Sequence, residues 1–157
     1  MPAPTTAVCT SYKQELLLAT HNHAASGGNA FKLALYKAAA SVAGTHGASD
    51  TNYSAMGSDE LGAAGAYATG GVSLTNIAPA ISGTSAYTAF STPVNISFSG
   101  TVTNTVTSGC MIYNSSSVGA TPTTGRAMMN VSWGADQTIT AGGSLAITVP
   151  SALLTLS

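Results

Sequence analysis

The sequence predicts a mainly β fold, an antiparallel β-sandwich or jelly roll preceded by one short helix. Three observations predict it. Apolar residues alternate with polar ones in several short runs, turn-forming residues separate these runs, and one helical pattern lies near the N-terminus. The 157 residues suffice for a single domain, with an N-terminal arm and helix over 1–28 and a sandwich over 29–157.

The helix is predicted to begin at Ser11. Ser11 and Gln14 form a capping-box pattern, and the residues that follow favour helix. Tyr12 and Leu16 lie one turn apart and share a face. A glycine-containing turn at 26–29 leads us to expect the helix to end at about 20–23. A helix this short must dock on other parts of the protein.

Period-two alternation begins at Phe31 and returns several times along the chain, as expected of half-buried strands. A turn at 134–136 and an apolar tail over 151–157 are also predicted. The predicted strands cover 31–36, 72–74, 87–90, 94–99, 110–113, 127–133 and 144–149.

A long loop rich in glycine, alanine and serine is predicted between about residues 40 and 71. Long loops in compact domains are usually functional or disordered. Its apolar side chains are too sparse to fold alone, so we expect an exposed arm that contacts a partner. The candidate assembly contacts, in the helix and in this loop, are Tyr12, Leu16, Tyr53, Met56, Leu61 and Tyr67.

Charged residues are scarce. They make up 6% of the chain, where an ordinary domain has about 25%, and the net charge is −1. Such a surface repels copies of itself weakly and favours association. The basic residues are scattered, which argues against direct nucleic-acid binding. Neither a long apolar run nor a secretory signal is recognisable, so we expect no membrane contact and synthesis in the cytoplasm.

Catalysis and metal binding have little support in the sequence. No nucleophile-elbow motif is present, and the acidic residues fall in predicted loops, where we expect them to be solvated. His21 and His23 could begin a metal site, but a polar helix end is the simpler interpretation. We therefore predict a protein that is not an enzyme and has no cofactor. The acidic residues that fall in predicted loops are Asp50, Asp59, Glu60 and Asp136.

The two cysteines, Cys9 and Cys110, lie far apart in the sequence. They could be two small buried apolar side chains. They could also form a disulfide after release from a reducing cell. Both interpretations stay open.

Three segments together resemble a family of small virion structural proteins of tailed bacteriophages: CTSYKQELL at 9–17, NAFKLALY at 29–36 and GCMIYN at 109–114. That family's pattern runs from an N-terminal helix through these strands to a closing strand with a small-residue turn, here 133–138. Cys110 stands where the pattern has alanine, so a disulfide would be particular to this chain. The resemblance implies no catalytic residues.

What the resemblance implies is a virion protein that binds copies of itself and major capsid or other virion proteins. Our leading hypothesis is a capsid decoration or cement protein that bridges shell subunits. A tail or fibre component that contacts the host is the second. A secreted glycan-binding sandwich is the third, and the lack of a recognisable signal peptide disfavours it.

Overall fold

The computed structural model describes residues 4–38, 40, 44–116, 125–150 and 153–156. Within these residues the fold is mainly β, as predicted. In chain order the elements are β1 (Ala7–Val8), α1 (Thr10–Leu17), β2 (Phe31–Lys37), a 3-10 helix (Tyr53–Asp59), β3 (Val72–Leu74), β4 (Asn76–Ser82), β5 (Ser85–Phe90), β6 (Val94–Ser97), β7 (Thr105–Asn114), β8 (Arg126–Ile139), β9 (Ser144–Ile147) and β10 (Leu154–Leu156).

The strands form three antiparallel sheets. The largest has the order β1-β8-β7-β2-β3, a second has the order β10-β5-β4, and β6 pairs with β9. Phe31 of the large sheet packs on Phe90 of the second, with ring centroids 5.4 Å apart. These sheets are consistent with the predicted β-sandwich, but a jelly-roll strand order is not confirmed.

Strand β2 is buried on both faces. Phe31, Leu33 and Leu35 point to one side of the sheet and Tyr36 to the other, because successive strand residues alternate. The Tyr36 ring lies against His46, with centroids 4.6 Å apart, so the segment after β2 covers this second face. The large sheet therefore has packing layers on both sides.

The helix differs from its prediction at both ends. It spans Thr10–Leu17 and ends before the expected 20–23. Cys9 is the N-cap residue, and no side chain caps the helix. The Ser11 hydroxyl instead donates to the Asp50 carbonyl at 3.5 Å. The capping-box prediction was wrong because Ser11 already lies inside the first turn.

Strand β8 continues through the predicted turn at 134–136. Gly134 has φ +77°, and the pairing with β7 is interrupted by a register shift between Ser132 and Gln137 before it resumes as far as Ile139. Three strands were not predicted: β1, β4 and β10. β1 and β10 have only two and three residues, which is too short for a recognisable alternation. β4 contains Pro79 and a register shift, and these interrupt the alternation of apolar and polar residues.

Residues 44–71 do not form the exposed arm that we predicted. They contain the 3-10 helix and isolated bridges, and Met56 and Tyr67 are buried in the core. Gly71 ends this segment where it meets β2. It has φ +77°, and a Cβ added there would lie 2.1 Å from the Leu33 carbonyl oxygen. Only glycine fits this approach.

Candidate functional site

A groove separates α1 from the three-stranded sheet. Its volume is about 170 Å³. Leu154 pairs with Thr88 and Leu156 with Ala86, so these side chains share one face of the sheet. Most of the lining is apolar; its residues are Tyr12, Leu16, His23, Pro79, Ala86, Tyr87, Thr88, Leu154 and Leu156.

Tyr12 and His23 form the polar part of this groove. The Tyr12 hydroxyl lies 2.6 Å from His23 Nε2, and the imidazole stacks on Phe31 at 4.4 Å. Burial, and to a smaller extent His21, lower the pKa of His23 to about 4. Burial raises the pKa of Tyr12. At neutral pH the phenol is therefore protonated, the imidazole is neutral, and the two share a hydrogen bond.

One ring nitrogen of His23, Nε2, is hydrogen-bonded to the Tyr12 hydroxyl. His23 Nδ1 has no hydrogen-bond partner among the described residues, and the same is true of Thr88 Oγ1. Both atoms are buried, and the accessible surface of the groove is almost entirely apolar.

A charged cluster lies next to Tyr12. Glu15 accepts from Arg126 Nη1 through one carboxylate oxygen and from His21 Nε2, at 2.7 Å, through the other. Asn114 Nδ2 lies 3.0 Å from His21 Nδ1 and donates to it. Burial lowers the pKa of His21, and Glu15 opposes this shift. Both ring nitrogens of His21 are occupied, so this imidazole holds the structure in place and has no lone pair left for a substrate.

A second buried cluster anchors the segment after β2. His46 Nε2 lies 3.0 Å from an Asp59 oxygen, and Lys37 Nζ lies 3.4 Å from the other. Asn130 donates to Asp50 at 2.8 Å. Asp50 and Asp59 are buried, contrary to our expectation of solvated loop acids.

Glu60 holds the end of the same segment. Its carboxylate accepts from the hydroxyls of Tyr53 and Tyr67 and, at 2.6 Å, from the Gly70 N–H. Tyr113 donates to the Gly70 carbonyl at 2.6 Å. These bonds offset the cost of ordering a chain segment that has few apolar contacts.

The structure divides the predicted assembly contacts into two groups. Tyr12, Met56 and Tyr67 are at most 1% exposed, so their side chains are not available to another subunit. We correct these three assignments: each is a core residue. Leu16, Tyr53 and Leu61 are half-buried and pack against the core.

Cys9 and Cys110 are both buried and both free, so the possible disulfide is corrected to two separate thiols. Asn130, which contacts the Cys9 sulfur, pairs with Met111 across the sheet. Cys110 is the neighbour of Met111, and neighbouring strand residues point to opposite faces. The large sheet therefore separates the two thiols.

Sequence reasoning considered His23 only as a possible metal ligand and did not single out Thr88. One signal could have drawn attention to the region. Residues 61–125 contain no charged side chain at all, and both β4 and β5 lie within that stretch. A sheet without charges at its edges is unusual, because edge strands commonly carry them to prevent pairing with other chains.

Among the described residues, no group of three or more His, Cys, Asp or Glu side chains is placed to hold a metal ion. In that same part of the chain, no helix is long and apolar enough to cross a membrane. No protein-family model matches this chain, and no curated protein or solved structure shows significant similarity to it.

Proposed function

We propose that this protein is a non-enzymatic structural component of a tailed-phage virion, and that it decorates the capsid by binding shell subunits and copies of itself. The resemblance of three sequence segments to such proteins supports this proposal. The main observation behind it is that the protein's surface has few charges and exposes several large apolar side chains.

The few charged groups are mostly used inside the fold. Glu15 pairs with Arg126, Asp59 pairs with Lys37, and Asp50 and Glu60 accept hydrogen bonds within the chain. Charges that are paired or hydrogen-bonded inside the fold contribute little to the electrostatic repulsion between copies of the protein. Since the chain has only nine formal charges from acidic and basic residues, its exterior is left with very few.

Apolar side chains are exposed around the groove. Leu17 and Leu18 are 89% and 68% exposed and follow Leu16, which lines the groove. Ile81 and Leu156, 79% and 58% exposed, lie on either side of Ala86 in the sheet. We call these four residues the apolar rim. Such patches on a charge-poor protein are typical of surfaces that another protein covers.

The proposal is tested by sedimentation of the purified protein with phage particles. We expect the protein to sediment with heads, and the double variant Leu17→Ser/Ile81→Ser to remain in solution. Val102→Ser is the matched control, because Val102 is 91% exposed but lies outside the rim. Binding to isolated tails instead would favour the tail or fibre hypothesis, and no binding to any particle would refute a virion role.

A further inference from the structure

We propose that a second groove, which we call the β9 cleft, receives one extended chain segment of the protein's assembly partner as an added β-strand. That the partner belongs to a virion rests on the proposed function. That the occupant is an extended chain rests on the cleft itself.

The β9 cleft lies between two consecutive strands that do not pair with each other. Only residues 140–143 join β8 to β9, but β8 pairs with β7 and β1, whereas β9 pairs with β6. The two strands therefore belong to different sheets, and the cleft between them has a volume of about 390 Å³. Its lining residues are Ser132, Trp133, Gln137, Leu145, Ala146, Ile147 and Thr148.

The cleft runs along the edge of β9 that β6 leaves open. Four consecutive residues, 145–148, line it, although the side chains of successive strand residues point to opposite faces. A space that touches all four must therefore lie beside the backbone of the strand. No residue of β6 lines the cleft, so the cleft lies along the opposite edge.

The strand register shows which backbone groups point to this edge. The Phe98 N–H donates to the Gly143 carbonyl at 2.9 Å, so these two residues form a hydrogen-bonded pair. In antiparallel strands such pairs alternate with pairs whose N–H and C=O groups point away from each other. In this register Leu145 points its backbone groups to β6, and Ala146 points them away from β6, into the cleft.

The same alternation continues just past the end of β9. The Val149 N–H donates at 3.0 Å to the hydroxyl of Thr92, which lies two residues before β6. The backbone groups of Thr148 therefore point to the cleft, as those of Ala146 do. Among the described residues, no hydrogen bond uses the backbone N–H or C=O of either residue. A row of free donors and acceptors of this kind is what an added strand pairs with.

The lining of the cleft determines the kind of segment that fits. None of the lining residues is charged, so a charged side chain inserted there would lose water without gaining an ion pair. Trp133, Leu145 and Ile147 are half-buried and supply apolar surface. The indole N–H of Trp133 donates to Thr107 Oγ1 at 3.4 Å and is thus used within the chain. The segment is therefore uncharged and places apolar side chains against Trp133.

The opposite wall of the cleft favours a single segment over a second copy's sheet. Neighbouring strands of a sheet lie about 4.8 Å apart. A sheet edge from another copy would therefore bring its second strand against β8, which forms that wall. A terminus or loop of the partner has no such neighbour and can enter the cleft alone.

Amide exchange of the full chain tests the edge before any partner is added. We expect the N–H groups of Leu145 and Ile147, which point to β6, to exchange at least about 100-fold more slowly than that of Ala146. Equal protection of all three would mean that this chain already fills the cleft, and would overturn the proposal.

An uncharged strand-forming peptide is the probe for the occupant. Acetyl-Thr-Val-Thr-Val-Thr-amide is compared with its N-methylated form, which cannot donate backbone hydrogen bonds. We expect the first peptide, in large excess, to slow the exchange of the Ala146 N–H about tenfold, the equivalent of roughly one hydrogen bond. The N-methylated peptide should leave it unchanged. No effect of either peptide, or the same effect of both, would refute strand addition at β9.

Ala146→Pro removes the N–H that points to the cleft, and Ala146→Thr is the matched control that keeps it. The proline should be tolerated, because this N–H does not bond to β6. We expect Ala146→Pro to lose the peptide's effect on the Thr148 N–H and to bind phage heads at least about tenfold more weakly. Ala146→Thr should retain both. If circular dichroism shows that the proline variant is unfolded, the N-methylated peptide decides the question.

The outcomes separate the cleft from the proposed function. If Ala146→Pro loses the peptide but sediments with heads as the unmodified protein does, the assignment of the cleft to the assembly partner is overturned. If the peptide pairs with β9 but the unmodified protein sediments with no particle, the virion role is refuted and the cleft still binds an extended chain.

Discussion

Glu15 of α1 accepts a hydrogen bond from Arg126 at the start of β8, 111 residues later in the chain. The Glu15 side chain is 9% exposed and that of Arg126 is 20% exposed. His21 occupies the other oxygen of the same carboxylate. The helix is thus held on the sheet by an ion pair that is largely shielded from water.

Replacement of Arg126 should destabilise the protein strongly. In Arg126→Met, the buried Glu15 carboxylate loses its cation, and we expect a loss of about 2–3 kcal/mol, slightly below the range for fully buried pairs. Urea unfolding at pH 7 measures this loss. Lys13→Met is the control, because Lys13 is exposed on the same helix and should cost less than about 0.5 kcal/mol. Equal effects of the two changes would contradict this account.

Stability should fall as the pH decreases from 7 to 5. The pKa of His23 is about 4 in the fold and about 6.5 when unfolded, so the unfolded chain binds the extra proton in this interval. The contribution is fully present above pH 6.5 and is lost progressively down to pH 4. We expect a loss of about 2 kcal/mol by pH 5 from His23. The lowered pKa of His21 acts in the same direction.

His23→Gln is the variant for this pH dependence. Glutamine can still accept from Tyr12 but does not titrate, so the stability of this variant should change less between pH 7 and pH 5. Urea unfolding at both pH values gives the comparison. A variant with the same slope as the unmodified protein would show that other groups cause the acid sensitivity.

Both thiols should be inert in the folded protein. Burial raises the pKa of Cys9 and of Cys110 to about 12, so almost no thiolate forms at pH 8. A chromogenic disulfide reagent should react with neither cysteine under native conditions and with both in denaturant, without prior reduction. A single reactive thiol, or none, in denaturant would indicate a disulfide or another modification.

Gly71→Ala should cost much more than Gly142→Ala. Both glycines have φ near +75°, so alanine pays about 1–2 kcal/mol of backbone strain at either site. At Gly71 the methyl group also meets the Leu33 carbonyl oxygen, whereas at Gly142 it meets open space. We expect Gly71→Ala to cost at least about 3 kcal/mol in thermal or urea unfolding. Similar losses at both sites would show that β2 and Gly71 are not in close contact.

Met56→Ala tests whether residues 44–71 are part of the folded core. Met56 is 1% exposed, and its truncation should cost about 2–4 kcal/mol. An exposed arm would show no loss of stability. Ser58→Ala, an exposed position in the same 3-10 helix, should be nearly neutral and controls for local helix effects. Unchanged stability of Met56→Ala would restore the arm hypothesis.

The fold class could be predicted because the main strands carry their own signal. Phe31, Leu33 and Leu35 alternate with less apolar residues, and the strand was placed correctly. Strand β4 could not be placed, because Pro79 and a register shift interrupt its pattern. Local sequence also could not show that a polar segment is buried.

The buried loop illustrates that last difficulty. His46 and Asp59 look like solvated residues in isolation. Their burial depends on partners that the fold brings together, among them each other and Lys37. The same holds for the groove. Tyr12 was predicted at an interface, but its contact with His23 depends on where the chain turns after α1. Composition and periodicity do not show which residues distant in the sequence will be in contact in the fold.

The strand order of the large sheet has a consequence for synthesis. Among the described residues β1 pairs only with β8, and β8 also forms the longest pairing with β7. During translation, therefore, β1 stays unpaired until residues 126–139 have left the ribosome. Ribosomes add about 5–20 residues per second, so this interval lasts several seconds or more. Folding is consequently completed late, and until then an almost uncharged nascent chain exposes apolar strands that can aggregate.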